Sequence, residues 1–136
     1  MHIEPTDEAG AAFFGRPPTG PVVMLNLLRY RDVADYSAHP DLAPPSPVSG
    51  RDAYAIHAAH TLPLLSDVGG EVVFSGHSLP FLIGPVDEKW DAVLLVRHQS
   101  AEIFLSFAQN EKYLAGVGHR TAALADSRLL PIVEGE

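Results

Sequence analysis

The stretch "VVMLNLL" (residues 22–28) decides how the chain folds, because it has the pattern of a β-strand that is buried on both sides. Successive side chains of a strand point to opposite faces, and here both faces are apolar. One face carries Val22, Met24 and Leu28, and the other carries Val23, Leu25 and Leu27. Strands of this kind lie in the interior of a sheet. The stretch predicts a central strand over about residues 22–30, with one amide, Asn26, near its middle.

Three further strands follow along the chain. The stretch "WDAVLLVRH" (90–98) is again apolar on both faces and predicts a second central strand. The stretch "EVVFSGHSLPFLIG" (71–84) is interrupted by Pro80, and "SRLLPIV" (127–133) contains Pro131. Because proline has no N–H to donate to a neighbouring strand, these two stretches are predicted to lie at the edges of the sheet.

Helices are predicted between these strands. Ser49 precedes a helical pattern over residues 51–68, which Gly69 ends, and Pro63 predicts a kink inside it. Ser100 caps another helix, and Asn110 begins a further helical segment that runs to about residue 126. The order is β-α-β-β-α-β, with the first and third strands in the centre. This is the ferredoxin-like arrangement of an α+β protein with an antiparallel sheet.

A chain of 136 residues is expected to form a single domain. Residues 1–20 read as an N-terminal extension with a short helix over 7–14, and residues 21–136 as the ferredoxin-like domain. Within that domain, residues 32–50 are rich in proline and cannot form regular structure for long. We interpret them as an insertion on the surface.

Composition narrows the classes of function. The formal net charge of −8 argues against binding to nucleic acid and to an anionic membrane surface, which both attract basic patches. No cysteine is present, so disulfides and thiolate chemistry are excluded. The first 20 residues lack the features of a signal peptide, and no apolar run reaches the roughly 20 residues that span a bilayer. We expect a soluble cytoplasmic protein without a cofactor.

Several blocks at characteristic separations resemble the Domain of Unknown Function 1330 (DUF1330) family. The blocks, which together cover about residues 21–135, are "VVMLNLLRYR", "GGEVVFSG", "WDAVLLVRHQS" and "NEKYLAGVGHRTAALADSRLLPIVEG". The resemblance implies a dimeric α+β barrel, in which the sheets of a homodimer pack face to face and helices cover their other faces. Proteins of that fold include cofactor-independent monooxygenases, lactone isomerases, polyketide cyclases and haem proteins. The resemblance therefore implies no single reaction.

The chain departs from the family pattern at the end of the third strand. Where the family has an aromatic residue, proline and serine, this chain has His98, Gln99 and Ser100. Tyr113 and Arg120 match the tyrosine and arginine of the family's last block, and His119 precedes that arginine. His98 and His119 are our candidate catalytic residues, because a histidine in a cleft can act as a general acid or base near neutral pH. The alternative for each is a structural histidine with satisfied hydrogen bonds.

Five residues are candidates for substrate binding: Asn26, His57, Trp90, Tyr113 and Arg120. A central strand that carries one amide between Met24 and Leu28 offers an apolar wall with a single polar group, which is typical of a small-molecule pocket. We predict that Asn26 lies on the sheet face under the helices, within reach of the helix over 51–68 or the segment over 110–126, and helps to orient a ligand. The alternative is a structural amide that is hydrogen-bonded within the protein. Trp90 has an equally simple interpretation as a packing residue.

Arg120 and the pair His57 and His60 leave alternatives open. Arg120 could form an ion pair with Glu111 or Asp126, or it could bind the carboxylate of a substrate, and of these we expect the ion pair. His57 and His60 stand one helical turn apart in "HAAH" (residues 57–60), a spacing that can hold two ligands of a metal. Metal sites use three or four ligands and no third ligand stands at a fixed spacing, so we predict no metal site.

Two functions of different classes remain. The first is an enzyme that binds a small, partly apolar organic molecule between sheet and helices, as a cofactor-independent isomerase, cyclase or monooxygenase that uses a histidine for proton transfer. The second is a non-catalytic dimeric binding or accessory module. A haem protein is a weaker third alternative, in which His57, His60 or His119 would be the axial ligand. The sequence leaves open whether the protein is an enzyme.

Overall fold

The four strands form one antiparallel sheet in the computed structural model, which describes residues 1–135. The strands are β1 (Val22–Tyr30), β2 (Glu71–His77), β3 (Ala92–His98) and β4 (Leu124–Ile132). Their order in the sheet is β2-β3-β1-β4, so β1 and β3 are central and β2 and β4 are the edge strands. The predicted strand order is confirmed.

Five α-helices accompany the sheet within the described residues. They are α1 (Asp7–Gly15), α2 (Gly50–Asp67), α3 (Ala101–Ala108), α4 (Glu111–Gly116) and α5 (Gly118–Ala123), and a short 3₁₀ helix spans Pro40–Leu42. Helix α2 connects β1 to β2, and α3, α4 and α5 connect β3 to β4. This order confirms the ferredoxin-like α+β fold.

The predicted helix ends are present as hydrogen bonds. The side chains of Ser49 and Ser100 each accept a bond of 3.0 Å from the backbone N–H three residues later, and Asn110 accepts one of 2.8 Å from the N–H of Lys112. Gly69 follows α2 with a φ of 73°, the left-handed conformation that glycine adopts without steric cost. These local signals define where α2, α3 and α4 begin and where α2 ends.

Some boundaries differ from the sequence-based prediction. Strand β2 ends at His77, not near residue 84, and β3 begins at Ala92, so residues 78–91 form a long connection. Strand β4 begins at Leu124, inside the stretch predicted as helical. Leu124 pairs with Tyr30 of β1, next to a register shift between Arg29 and Tyr30. Pairing with a neighbouring strand thus overrides the helical pattern of the preceding residues.

The two sides of the sheet have different surroundings. The helix side carries Met24 and Leu28 of β1, which are 2% and 0% exposed. The core on this side is formed by Leu28, Ala53, Ala123 and Leu124. The opposite side, which we call the open side, carries the other set of β1 side chains, and its apolar residues include Phe74 and Leu130, which are 57% and 56% exposed.

The N-terminal segment is bound to the rest of the domain. The backbone N–H of His2 donates to Asp126 Oδ1 at 2.7 Å, and Ser127 Oγ donates to the carbonyl oxygen of His2 at 2.6 Å. Further along, the ring of Phe14 stacks on Phe104 of α3 with a centroid distance of 6.3 Å. Within residues 1–135, no helix is both long and apolar enough to cross a membrane.

Candidate functional site

The middle row of side chains on the helix side of the sheet is only partly covered, and we call the space above this row the cleft. Ser75, Leu94, Asn26 and Leu129 lie side by side on the four strands according to their pairing. None of these four residues is buried, and Leu129 is 43% exposed. Met24 and Leu28, two residues before and after Asn26, are almost completely buried. The helices therefore leave the centre of the sheet accessible at the row that contains the amide.

Three side chains on the helices above the sheet form a connected cluster. Helix α2 supplies Tyr54 and His57, which are one turn apart, and α4 supplies Tyr113. The ring centroids of Tyr54 and His57 are 5.2 Å apart, and those of His57 and Tyr113 are 6.1 Å apart. The guanidinium of Arg120 on α5 is close enough to affect the pKa of all three groups. We call Tyr54, His57, Tyr113 and Arg120 the cleft cluster.

His57 is a neutral imidazole in this cluster. Burial lowers the pKa of His57 to about 3, and the positive charge of Arg120 is the next contribution. The Nδ1 atom lies 3.4 Å from Thr61 Oγ, which is a long contact for a hydrogen bond. Within residues 1–135, Nε2 has no hydrogen-bond partner, so one ring nitrogen is available to a ligand.

The two tyrosines contribute neutral hydroxyl groups. Burial raises the pKa of Tyr54 to about 12, although Arg120 acts in the opposite direction, and burial likewise raises the pKa of Tyr113. Neither hydroxyl has a hydrogen-bond partner among the residues that the structure describes. Both phenols therefore stay protonated at physiological pH and can donate to an acceptor on a ligand.

Arg120 brings a positive charge that has no counterion within residues 1–135. Its Nη1 donates to the carbonyl oxygen of Ile3 at 2.7 Å, and its Nη2 donates to Ser127 Oγ at 3.4 Å. The ion pairs of the described chain join Asp126 to Arg29 and to Arg128 instead. The ion pair that we expected between Arg120 and Glu111 or Asp126 is thus absent from residues 1–135.

Asn26 forms the floor of the cleft. Its Nδ2 donates to the carbonyl oxygen of Met24 in the same strand at 3.2 Å, which is the single hydrogen bond of this amide within residues 1–135. The carboxamide oxygen has no donor there. As expected from its register, Asn26 lies on the helix side with Met24 and Leu28, but within residues 1–135 no hydrogen bond joins its side chain to the helices.

His98 lies next to the cluster but is sealed from solvent. It ends β3, is 2% exposed, and packs between Phe104 and Phe107 at centroid distances of 4.8 and 5.6 Å. Its Nδ1 is buried and has no hydrogen-bond partner in the described part of the chain, and burial lowers the pKa of His98 to about 4. Phe107 connects it to Tyr113, whose ring is 4.9 Å away.

His119 has different surroundings from His98. Its Nδ1 is 2.7 Å from the hydroxyl of Tyr36, a residue of the proline-rich insertion. Burial lowers the pKa of His119, with a smaller contribution from the charge of His60. The two candidate catalytic histidines thus occupy separate environments, one among the aromatic rings of α3 and one against the insertion.

Trp90 lies on the other side of the sheet from Asn26. Its ring is held between the guanidinium groups of Arg29 and Arg128, at 4.9 and 5.0 Å, and its Nε1 donates to Glu88 at 3.0 Å. Trp90 also borders a surface hollow of about 260 Å³ that includes Leu27 of the open side. The structure therefore brings His57, Tyr113 and Arg120 together on the side of the sheet where Asn26 lies, and leaves Trp90 apart from them.

Tyr54 is the member of the cluster that sequence reasoning missed. It stands three residues before His57 on a predicted helix, so the two side chains share one face, and this spacing was a usable signal.

His60, which the sequence paired with His57, instead hydrogen-bonds through Nε2 to the carbonyl oxygen of Lys112 at 2.6 Å. Among residues 1–135, no group of three or more metal-binding side chains comes together.

Comparisons with known proteins place the chain beside proteins without an established function. No protein-family model and no curated protein matches it. Two crystal structures of RPA0582, a Rhodopseudomonas palustris protein of unknown function, are 36% identical and cover 99% of this chain. The methylated form has a TM-score of 0.89 with 96% of its own length covered, and the other has a TM-score of 0.86 with 98% covered.

More distant structures share the fold alone. A DABB family protein with a ferredoxin-like fold from Mesorhizobium loti is 10% identical with a TM-score of 0.54, and the match covers 87% of this chain and all of that one (100%). A dimeric protein of unknown function and ferredoxin-like fold from Bacteroides fragilis is 11% identical with a TM-score of 0.51, covering 82% of this chain and 94% of that one.

Proposed function

The chain belongs to the same family as RPA0582, and on that premise we propose that it binds a small, partly apolar organic molecule between sheet and helices and moves a proton on that molecule through His57. One observation carries this proposal: on the side of the sheet where Asn26 lies, the cleft cluster holds two tyrosine hydroxyls and one imidazole nitrogen that have no hydrogen-bond partner within residues 1–135. Apolar walls with a few convergent polar groups are the usual make-up of a small-molecule site.

The chemistry of the cluster suits proton transfer. A neutral His57 can accept a proton at Nε2, and the hydroxyls of Tyr54 and Tyr113 can donate hydrogen bonds to a carbonyl oxygen of the ligand. These two hydrogen bonds would stabilise the negative charge that develops on that oxygen as the proton leaves carbon. Of the reactions considered from the sequence, isomerisation and cyclisation fit these groups best, because both need a base and stabilisation of an enolate oxygen.

Exchange of carbon-bound hydrogen tests this function directly. We would incubate the protein in D₂O with small carbonyl compounds and follow the loss of C–H signals by proton NMR. Exchange should be catalysed by the wild type, abolished in His57→Phe, and retained in the control His77→Phe, whose histidine is exposed on edge strand β2. Binding without exchange would support the non-catalytic binding module, and an absence of both would overturn the proposal.

A second copy of the chain is the partner that fits the open side. Besides Phe74 and Leu130, the connection between β2 and β3 exposes Leu82, Ile83 and Val86, which are 98%, 92% and 93% accessible. An apolar patch of this kind is typical of a protein interface. The fold neighbour from Bacteroides fragilis is described as dimeric, and the sequence resemblance implies sheets packed face to face.

Mass in solution tests the homodimer. Light scattering should give twice the chain mass of 14.6 kDa. Leu130→Glu, which places a charge on the open side, should give a monomer, whereas Val33→Glu, at a residue of the insertion that is 61% exposed, should leave the dimer intact. A wild-type protein that stays monomeric at micromolar concentration would contradict the homodimer.

Membership of the DUF1330 family also remains a proposal. It is supported by the blocks around Tyr113 and Arg120 and by a ferredoxin-like fold, which is compatible with that family. An alignment of close relatives should keep a tyrosine and an arginine at these two sites. Relatives that fold alike but lack both residues would argue for a separate family.

A further inference from the structure

The cleft cluster has the chemistry to select a particular class of ligand. Building on the proposed function, we infer that the molecule bound there is a monocarboxylate with a planar apolar body, and that Arg120 binds its carboxylate. The inference concerns the charge of the ligand, so it can fail while binding in the cleft and proton transfer through His57 remain correct.

The first argument is the missing counterion of Arg120. The chain has 17 acidic and 9 basic residues, so carboxylates are in excess. Even so, no carboxylate within residues 1–135 forms an ion pair with Arg120, although the residue is partly buried. A guanidinium cannot lose its charge in a protein, and burying a charge without a partner is unfavourable. A negatively charged ligand would remove this cost.

The second argument is the orientation of the guanidinium. The 2.7 Å hydrogen bond from Nη1 to the carbonyl oxygen of Ile3 holds the group in place, and Nη2 lies 3.4 Å from Ser127 Oγ, a longer contact. Arginine carries five N–H donors, and these two contacts leave the others free. A planar guanidinium held in this way is preorganised for a carboxylate, which it binds through paired hydrogen bonds.

The third argument is that the rest of the cluster is uncharged. His57, with a pKa of about 3, is neutral at physiological pH, and both tyrosines keep their protons. The site therefore offers one full positive charge, which matches a monocarboxylate better than a phosphate with nearly two negative charges. The tyrosine rings above the floor, with Leu94 and Leu129 beside Asn26, provide apolar contacts for a planar body.

A bound carboxylate would also change the basicity of His57. The charge of Arg120 lowers the pKa of His57, and His60 and His119 act in the same direction. A carboxylate on Arg120 would neutralise the largest of these three charge effects, so the pKa of His57 should rise when the ligand binds. The ligand would thereby make the imidazole a better base at the moment when a proton has to be transferred.

A matched pair of probes tests the inference. Benzoate and benzamide have nearly the same shape, but only benzoate is charged, and their affinities can be measured by isothermal titration calorimetry. We expect benzoate to bind about tenfold more tightly or better, which is the usual advantage of hydrogen bonds to a charged group. Arg120→Gln should abolish this preference, and Arg120→Lys should retain part of it. Arg128→Gln on the open side is the control and should leave the preference unchanged.

A second readout separates binding from a merely structural role of Arg120. The pKa of His57, followed by NMR through its ring proton, should rise on addition of benzoate and stay constant on addition of benzamide. The wild-type comparison needs no variant, so it remains decisive if Arg120→Gln fails to fold.

Three results would overturn the inference. Equal affinity for benzamide and benzoate would show that the cleft ignores charge, and the proposed function would survive. If inorganic phosphate bound in the cleft as strongly as benzoate does, the site would not be selective for a carboxylate. If neutral carbonyl compounds bind and exchange through His57 while benzoate does not bind, the assignment of an anionic ligand is wrong.

Discussion

The arginines on the two sides of the sheet have different kinds of partner. On the open side, Arg128 and Arg29 approach the carboxylate of Asp126 at 2.8 and 3.8 Å, and both guanidinium groups stack on Trp90. On the helix side, Arg120 meets a carbonyl and a hydroxyl oxygen but no carboxylate within residues 1–135. The difference distinguishes charges that serve the fold from a charge that is available to a ligand.

The open-side cluster is satisfied by its own chain. Burial by itself would raise the pKa of Asp126, but the backbone N–H groups of His2 and Ser127 and the side chain of Arg128 outweigh it and lower the pKa to about 2. Asp126 is therefore ionised across the physiological range. By contrast, two hydroxyls and one ring nitrogen of the cleft cluster have no partner among the described residues. We expect the first region to govern stability and the second to govern binding.

The largest predicted effect is the loss of Asp126. Asp126→Ala removes the acceptor of several hydrogen bonds, so the free energy of unfolding should fall by about 3 kcal/mol in urea denaturation, most of it from the hydrogen bonds because both arginine partners are partly exposed. Arg120→Gln should cost much less, because no ion pair is broken. Asp32→Ala, at an exposed residue, is the control. A cost for Arg120→Gln equal to that for Asp126→Ala would remove the distinction between the two sides.

The second prediction concerns acid sensitivity through His98. The pKa of His98 is about 4 in the folded state against an ordinary value of 6.5, so below pH 6.5 the unfolded chain binds more protons. Stability due to neutral His98 is complete above pH 6.5 and is lost as the pH falls towards 4. At pH 5 the free energy of unfolding of the wild type should have fallen by about 2 kcal/mol through His98, and His98→Phe should not show this fall.

The measurement for His98 is urea denaturation at pH 7.5 and at pH 5. His98→Phe should be at least as stable as the wild type at pH 7.5, because the buried Nδ1 has no partner to lose. His77→Phe, which changes an exposed histidine, should keep the acid sensitivity of the wild type. An unchanged pH dependence in His98→Phe would show that the imidazole is not buried as described.

Asn26→Leu tests whether the amide on the helix side of the sheet stabilises the fold or binds a ligand. The amide has one hydrogen bond, to its own strand, so its replacement should leave stability unchanged or raise it by up to about 1 kcal/mol. Binding of the probe benzoate should weaken. A fall of about 1–3 kcal/mol in the free energy of unfolding would instead indicate a structural amide whose replacement leaves its hydrogen-bond partners unsatisfied. Thr19→Leu, at an exposed residue of the N-terminal segment, is the control and should change neither stability nor binding.

The smallest predicted effect separates two tyrosines. Tyr113→Phe should change the free energy of unfolding by less than about 0.5 kcal/mol, because the hydroxyl has no partner within residues 1–135. Tyr36→Phe should cost about 1 kcal/mol, since it removes the 2.7 Å hydrogen bond to His119. Calorimetric affinity for benzoate should fall only in Tyr113→Phe. The reverse pattern would place the ligand near the insertion and not in the cleft.

Much of the fold followed from local patterns. The alternation around Met24 and Leu28 predicted a strand buried on both sides, and Pro131 predicted an edge strand. Ser49, Ser100 and Asn110 marked the helix starts, because each satisfies N–H groups that the first turn leaves free. The boundaries that failed, such as the start of β4 at Leu124, depend on pairing with a distant strand.

The sequence by itself determined the order of the strands, the side of the sheet on which Asn26 lies, and the residues that stand one helical turn apart. It could not determine which partners Arg120 meets. Asp126 and Ser127 are neighbours in β4, and adjacent strand residues point to opposite faces. Arg120 reaches the hydroxyl of Ser127 on the helix side, while the carboxylate of Asp126 lies on the open side with Arg29 and Arg128. Only the packing of α5 against one face decided this, because a side chain cannot reach through a sheet.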